Sequence, residues 1–199
     1  MSINLQKGQK IDLTKGGTGL KHIMVGLGWD EAQQSSSGGF LGLFKSKPQA
    51  IDCDASAILC DANGKYMNLV YYRNLKLSDG SIVHRGDNLT GAGDGDDEQI
   101  MVDLSRVSPS VGKIVFVVNI YSASERKQHF GMIQNAFIRL VDVDNNNEIC
   151  RYNLSENYYG MEGLIVGEIY RYNGEWKFNA IGRPVQSASY VDQLTAMYK

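Results

Sequence analysis

Tyr172-Asn173-Gly174-Glu175 is the tightest local constraint in this chain. Asn-Gly supplies the two positive φ angles of a type I′ turn, which joins antiparallel strands and sets their register. If 172 pairs with 175, Ile169 faces Phe178 and Gly167 faces Ala180 on one side of the hairpin. Glu168, Tyr170, Lys177 and Asn179 then share the other side. One face is apolar and the other polar. Two half-wetted sheets of this kind bury their apolar faces against each other, which is the β-sandwich solution.

The same short, alternating or β-branched pattern recurs along the chain. It predicts strands over 22–29, 55–60, 69–73, 99–104, 113–121, 136–143, 148–154, 164–172 and 175–181. In 113–121 (KIVFVVNIY) both parities are largely apolar, as expected of a central strand covered on both sides. Helical signals are confined to a short piece around 123–129 and to a C-terminal stretch at 189–198, with Val191, Leu194 and Tyr198 at helical spacing. The expected fold is all-β, a sandwich of two mainly antiparallel sheets. At 199 residues, one such domain accounts for 1–199. Within it, QQSSSGGFLGLFKSKP at 33–48 reads as a flexible insertion whose apolar tip occupies 39–44.

The formal charge is only −2, without the basic excess that binding a phosphate backbone requires, so nucleic acid is excluded as a first partner. No apolar run reaches the length of a membrane span and residues 1–10 lack a secretory signal, which predicts a soluble, cytoplasmic protein. Cys53, Cys60 and Cys150 form no CxxC pair and are expected to be reduced core residues.

The near-neutral total conceals a segregation. Asp30-Glu31, 51–61 and 86–98 hold ten of the twenty-two acids and no Lys or Arg, leaving twelve acids against twenty bases elsewhere. Two carboxylates about 5 Å apart repel by roughly 1 kcal/mol in water and about 3 kcal/mol at an effective dielectric of 20. If these stretches converge, something must offset the repulsion. The loop at 85–98 (RGDNLTGAGDGDDE) is too long for a hairpin turn, and its acids, Asn88 and Thr90 are hard oxygen donors. Its four glycines let backbone carbonyls turn inward as well. Such an inventory suits the six to eight oxygens of a Ca²⁺ shell better than the rigid octahedron of Mg²⁺. Asp52 and Asp54, two apart in extended chain, leave one face of a strand together, and Asp30 ends another strand near the same rim. The candidate metal ligands are therefore Asp30, Asp52, Asp54, Asp87, Asn88, Asp94, Asp96, Asp97 and Glu98.

Standard calcium signatures do not fit. An EF-hand frame from Asp87 reaches Glu98 at position 12 but places Leu89 and Gly91 at ligand positions. Asp142-Val143-Asp144-Asn145-Asn146-Asn147 reads as a hairpin turn. Enzyme templates fail too: there is no GxxxxGK[ST], GxSxG or HExxH, and VGLGWD does not complete GxGxxG.

VGLGWD at 25–30, DCDAS at 52–56, GDNLTGAGDGDDE at 86–98, RKQHFGMIQNAFIRL at 126–140 and GEIYRYNGEWKFNAIG at 167–182 together resemble the TerD family of tellurium-resistance and general stress proteins. The resemblance spans residues 1 to about 183. It implies a two-sheet β-sandwich, acidic loops that bind two Ca²⁺ ions, and a non-enzymatic part in bacterial resistance to tellurite and other toxic agents. Its acidic motif falls on Asp87, Asn88, Asp96, Asp97 and Glu98, with Asp94 where other members often place Glu, and its strand-borne pair falls on Asp52 and Asp54. Other tellurium-resistance proteins are the partners it implies. A second expectation, from the apolar tip at 39–44 beside acidic loops, is a calcium-dependent module that docks on a membrane or a partner protein.

Overall fold

The computed structural model describes residues 2–14, 19–31, 50–86, 95–154 and 156–199. Among the described residues, twelve strands form two six-stranded sheets. The first sheet contains β1 (Ile3–Leu5), β3 (His22–Glu31), β6 (Ile82–His84), β7 (Glu98–Asp103), β9 (Ile133–Asp142) and β10 (Asn147–Asn153), in the order β1-β10-β9-β3-β7-β6. The second contains β2 (Lys10–Asp12), β4 (Cys53–Cys60), β5 (Tyr66–Val70), β8 (Lys113–Ile120), β11 (Gly163–Tyr172) and β12 (Glu175–Val185), in the order β2-β12-β11-β8-β4-β5. Every pairing is antiparallel except β1 on β10. This is the all-β sandwich that the alternation predicts.

The Asn-Gly hairpin has the expected register: Tyr172 pairs with Glu175, Ile169 with Phe178 and Gly167 with Ala180. Asn173 and Gly174 carry φ of +52° and +79°. A bulge between Ile165 and Gly167 then shifts the parity of β11. Leu164 and Val166 consequently join Ile169 in the core between the sheets, while Ile165 turns to the opposite face. β8 lies inside its sheet and is buried on both sides, with Ile114, Phe116, Val118 and Ile120 facing the first sheet. Its Val115 and Val117 face outward, together with Ile58, Cys60 and Leu69.

That outer face is covered by the C-terminal segment. A helix, α2 (Val191–Thr195), continues as a 3₁₀ turn over Ala196–Tyr198, and Ala188, Val191 and Leu194 close a second, smaller core over β4, β8 and β11. The Tyr190 N–H donates to Gln193 Oε1 at 3.0 Å, which ties the entry to the helix. The other helix, α1 (Ala123–Arg126), is a single turn between Ser122 and Lys127, both at positive φ. Asp142 to Asn147 is a hairpin turn, with Asn146 at φ +55° and Asp142 accepting from the Asp144 N–H. All three cysteines are buried and free.

Three strands carry little sequence signal. β1, β2 and β6 have three residues each, too few for alternation to register. The insertion at 33–48 and its apolar tip at 39–44 lie outside the described residues.

Candidate functional site

The acidic segments meet where β4 and β7 begin and β3 ends. Glu98 opens β7, and the alternation of that strand sends it into the sandwich interior, where it is 2% exposed. Its Oε2 accepts the Ala55 N–H of the opposite sheet at 2.5 Å and lies 3.5 Å from His84 Nε2. The same ring nitrogen stands 3.1 Å from the Ala55 carbonyl oxygen, so one carboxylate and one imidazole join the two sheets through a single residue of β4. Burying these groups is tolerable because each is hydrogen-bonded.

Asp97, one residue earlier, sits against the end of β3. Its Oδ2 accepts the Trp29 N–H at 2.8 Å, and its own N–H donates to the Leu27 carbonyl at 2.8 Å. Burial pushes its carboxyl above the usual carboxylate range; the Trp29 bond pulls it back, and the nearby charges of Asp30 and Asp96 push it up again. Asp30 is exposed, and its Oδ2 accepts from Asn135 Nδ2 at 2.7 Å.

Asp96 goes the other way. It lies over Gly26 on the outer face of the first sheet and accepts Nε and Nη2 of Arg139 at 2.7 and 2.9 Å, with Gln99 Nε2 at 3.2 Å. A Cβ on residue 26 would collide with this carboxylate, and one on residue 28 would strike the Phe137 ring. The two glycines of VGLGW keep that strip of β3 bare so that Asp96, just ahead of β7, and Phe137 of β9 can lie across it.

Asp52 and Asp54 point to the outer side of the second sheet. Asp52 Oδ2 is 3.5 Å from Arg126 Nη1. Asp54, 5% exposed, is paired in register with Asn119, whose Nδ2 is 3.5 Å from Asp54 Oδ2. Asp87, Asn88 and Asp94 lie outside the described residues. The acids are thus neighbours along the chain edges but are directed to different faces: Glu98 inward, Asp96 out over the first sheet, Asp52 and Asp54 out over the second. Among the described residues, no three His, Cys, Asp or Glu side chains form a group that could hold a metal ion.

Their combined field is nevertheless felt at Cys53, the buried thiol between them. Burial first, and then the charges of Glu98, Asp54, Asp52 and Asp97, hold this thiol well above its usual range. Burial likewise raises Cys60 to about 11 and Cys150 to about 12. All three stay protonated at neutral pH, which makes them poor nucleophiles and poor soft-metal ligands.

The TerD domain model matches residues 1–198. The chain belongs to the TerD family. Stress response protein SCP2 of Bacillus subtilis (strain 168) is 56% identical over 186 residues, covering 92% of each chain. Tellurium resistance protein TerD of Serratia marcescens is 45% identical over 186 residues, 92% of this chain and 91% of its own. A solved homologue of telluride resistance protein (TerD) from Streptomyces coelicolor A3(2) superposes with a TM-score of 0.62 at 21% identity, over 84% of this chain and 92% of its own, and shares the fold. No helix among the described residues is long and apolar enough to cross a membrane.

For this TerD-family chain, three residues of the acidic region escape a reading by composition: His84, Asn119 and Arg139. His84 lies in a three-residue strand, and Asn119 hides in an apolar run. Arg139 has a detectable signal, since it pairs in register with Gly26, a bare position between an arginine and an acidic run.

Proposed function

We propose that this chain is a non-enzymatic, cytoplasmic calcium-binding stress protein that contributes to resistance against tellurite and other toxic agents; the stress-response and tellurium-resistance names of its relatives support the resistance role. The observation that carries the calcium reading is the state of Asp97, a carboxylate held in a partly buried position whose ionisation is opposed by burial and by Asp30 and Asp96. A divalent cation at that position offsets both costs. Asp97 and Asp30 are hard oxygen donors near one another at this edge, and the glycine-rich stretch at 87–94 adjoins Asp97 in sequence. We assign the remaining ligands to Asp87, Asn88 and Asp94, with Asp52 and Asp54 as the candidates on the second sheet, and two ions as the stoichiometry. Asp96 serves Arg139 first. When bound, calcium supplies positive charge and order, while Trp29 and Ala55 orient Asp97 and Glu98 through their backbone N–H groups. Other tellurium-resistance proteins are the partners we propose.

Calorimetric titration with Ca²⁺, and thermal melts with calcium and with chelator, test this. At a hundredfold excess over Kd, native-state binding adds about 2.7 kcal/mol to stability. Superimposable melts would defeat the reading. Asp97→Asn is expected to remove most of the shift, whereas Asp96→Asn leaves most of it.

A further inference from the structure

A polar cavity lies on the outer side of the second sheet, beside the start of α2. It has a volume of about 140 Å³, well above the roughly 10–15 Å³ that a single water needs. Its wall is aromatic. Tyr71 and Tyr72 follow β5, Tyr121 follows β8 and Tyr190 precedes α2, and successive ring centroids are 5.2, 6.4 and 5.7 Å apart in edge-to-face contact. Its floor is Asp54 and Asn119, neighbours across β4 and β8. Asn119 is 1% exposed, and its Oδ1 accepts no hydrogen bond from a described residue. A buried acceptor left in this state costs on the order of 1–3 kcal/mol and calls for a donor.

The polarity of the cleft selects the kind of donor. At the rim, Arg73 and Asp192 offset each other in charge, so the floor decides, and it offers a carboxylate and an amide oxygen. The walls already hold cations: the Arg73 guanidinium lies 5.3 Å from the Tyr72 ring centroid and that of Arg126 lies 5.1 Å from Tyr121. Tyr190 Oη is taken up by Glu125 and Ser122, and therefore adds no free oxygen to the floor. Two oxygens and several π faces suit an organic cation, which needs few acceptors and gains from aromatic rings, better than a metal ion, which needs a full oxygen shell.

We propose that the tyrosine-walled cleft over Asp54 and Asn119 binds a small organic cation bearing N–H donors, a guanidinium or a primary ammonium. The N–H groups point at Asn119 Oδ1 and the Asp54 carboxylate, and the body of the cation lies against the tyrosine rings. The site shares Asp54 with the calcium candidates on the second sheet, whereas Asn119 and the aromatic wall belong to it alone and distinguish the two readings.

Calorimetry on the full chain in chelator provides the test, with agmatine as a free guanidinium, N-acetylarginine amide as the side chain of a protein, and tetramethylammonium as a cation without N–H groups. Saturable binding of agmatine is expected, weakened about tenfold in Asn119→Leu and in Tyr72→Leu, with tetramethylammonium weaker by a similar factor. Asn119→Leu removes the Nδ2 contact to Asp54 along with the unsatisfied oxygen, so Tyr72→Leu, which leaves that contact in place, is the variant that separates binding from folding. Equal affinity for the capped arginine identifies a protein side chain as the source of the cation, whereas preference for agmatine identifies a free small molecule. Three results would overturn the proposal: no saturable heat with agmatine, unchanged affinity in both variants, or calcium titrating this cleft with a response lost in Asn119→Leu.

Discussion

The outer faces of the two sheets solve the same problem in opposite ways. The second sheet carries an apolar outer face of Ile58, Cys60, Val115, Val117 and Ile165, and hides it under Val191 and Leu194. The first sheet leaves its outer face largely polar and knits it with charges: Asp96 to Arg139, Arg139 to Glu148 at 3.2 Å, and Arg151 to Glu148 at 3.1 Å. A helix-covered face draws on burial and is indifferent to salt. An ion-pair face draws on geometry and responds to pH. The candidate carboxylates lie between these two regimes, at the edge where β4 and β7 begin.

Three measurements sharpen or break that contrast. The largest effect is expected from Leu194→Ala, which opens a cavity in the helix-covered core and should cost about 2–5 kcal/mol in a denaturant melt, independent of salt. A loss below 1 kcal/mol would mean that the C-terminal segment is a loose cover instead of a second core. Next is Arg139→Ala, which strands Asp96, whose side chain is wholly buried. The cost should be about 2 kcal/mol, less than for a fully buried pair because Arg139 is partly exposed, and Asp96→Asn in the same chain should recover part of it. The smallest is Glu148→Gln, at about 1 kcal/mol near neutral pH.

Glu148 also sets the acid response of this face. Partial burial alone would raise its carboxyl, but hydrogen bonds from Arg151, Ser2 and Arg139 outweigh that and hold it at about 2. A carboxyl depressed in the folded state contributes stability that is complete above its unfolded value near 4.5 and is lost as pH falls from there to about 2. Stability of the parent should therefore drop through that window more steeply than that of Glu148→Gln. Parallel pH profiles would remove Glu148 from the account.

Much of this architecture is legible in the residue order because a two-residue turn and strict alternation leave few alternatives. The hairpin at 172–175 appears with its register intact, and KIVFVVNIY is central as its doubled apolarity requires. The bulge at Ile165 to Gly167 was not legible, since an unbroken alternation is consistent with either parity and only the pairing with β8 and β12 reveals the slip. The acidic site was legible as composition but not as geometry. Asp96, Asp97 and Glu98 read as one inventory, yet only Glu98 lies in the strand, and the two residues before it belong to a bend whose directions composition does not set. Glu98 turns inward with the alternation of β7, while Asp96, ahead of that strand and outside its alternation, turns outward to Arg139. Gly26 and Gly28, which fail every nucleotide-binding pattern, earn their place by leaving a flat track beneath Asp96 and Phe137.

β1 and β2 lie only a few residues apart, yet one joins β10 in the first sheet and the other joins β12 in the second. Both must wait for partners near residues 150 and 178, so the opening segment of the chain is synthesised early and docks late. Until it does, the flanks of β10 and β12 remain unpaired and open to other chains. Once docked, β1 and β2 replace the long flanks of β10 and β12 with edges of only three residues, which offer another chain little to pair with.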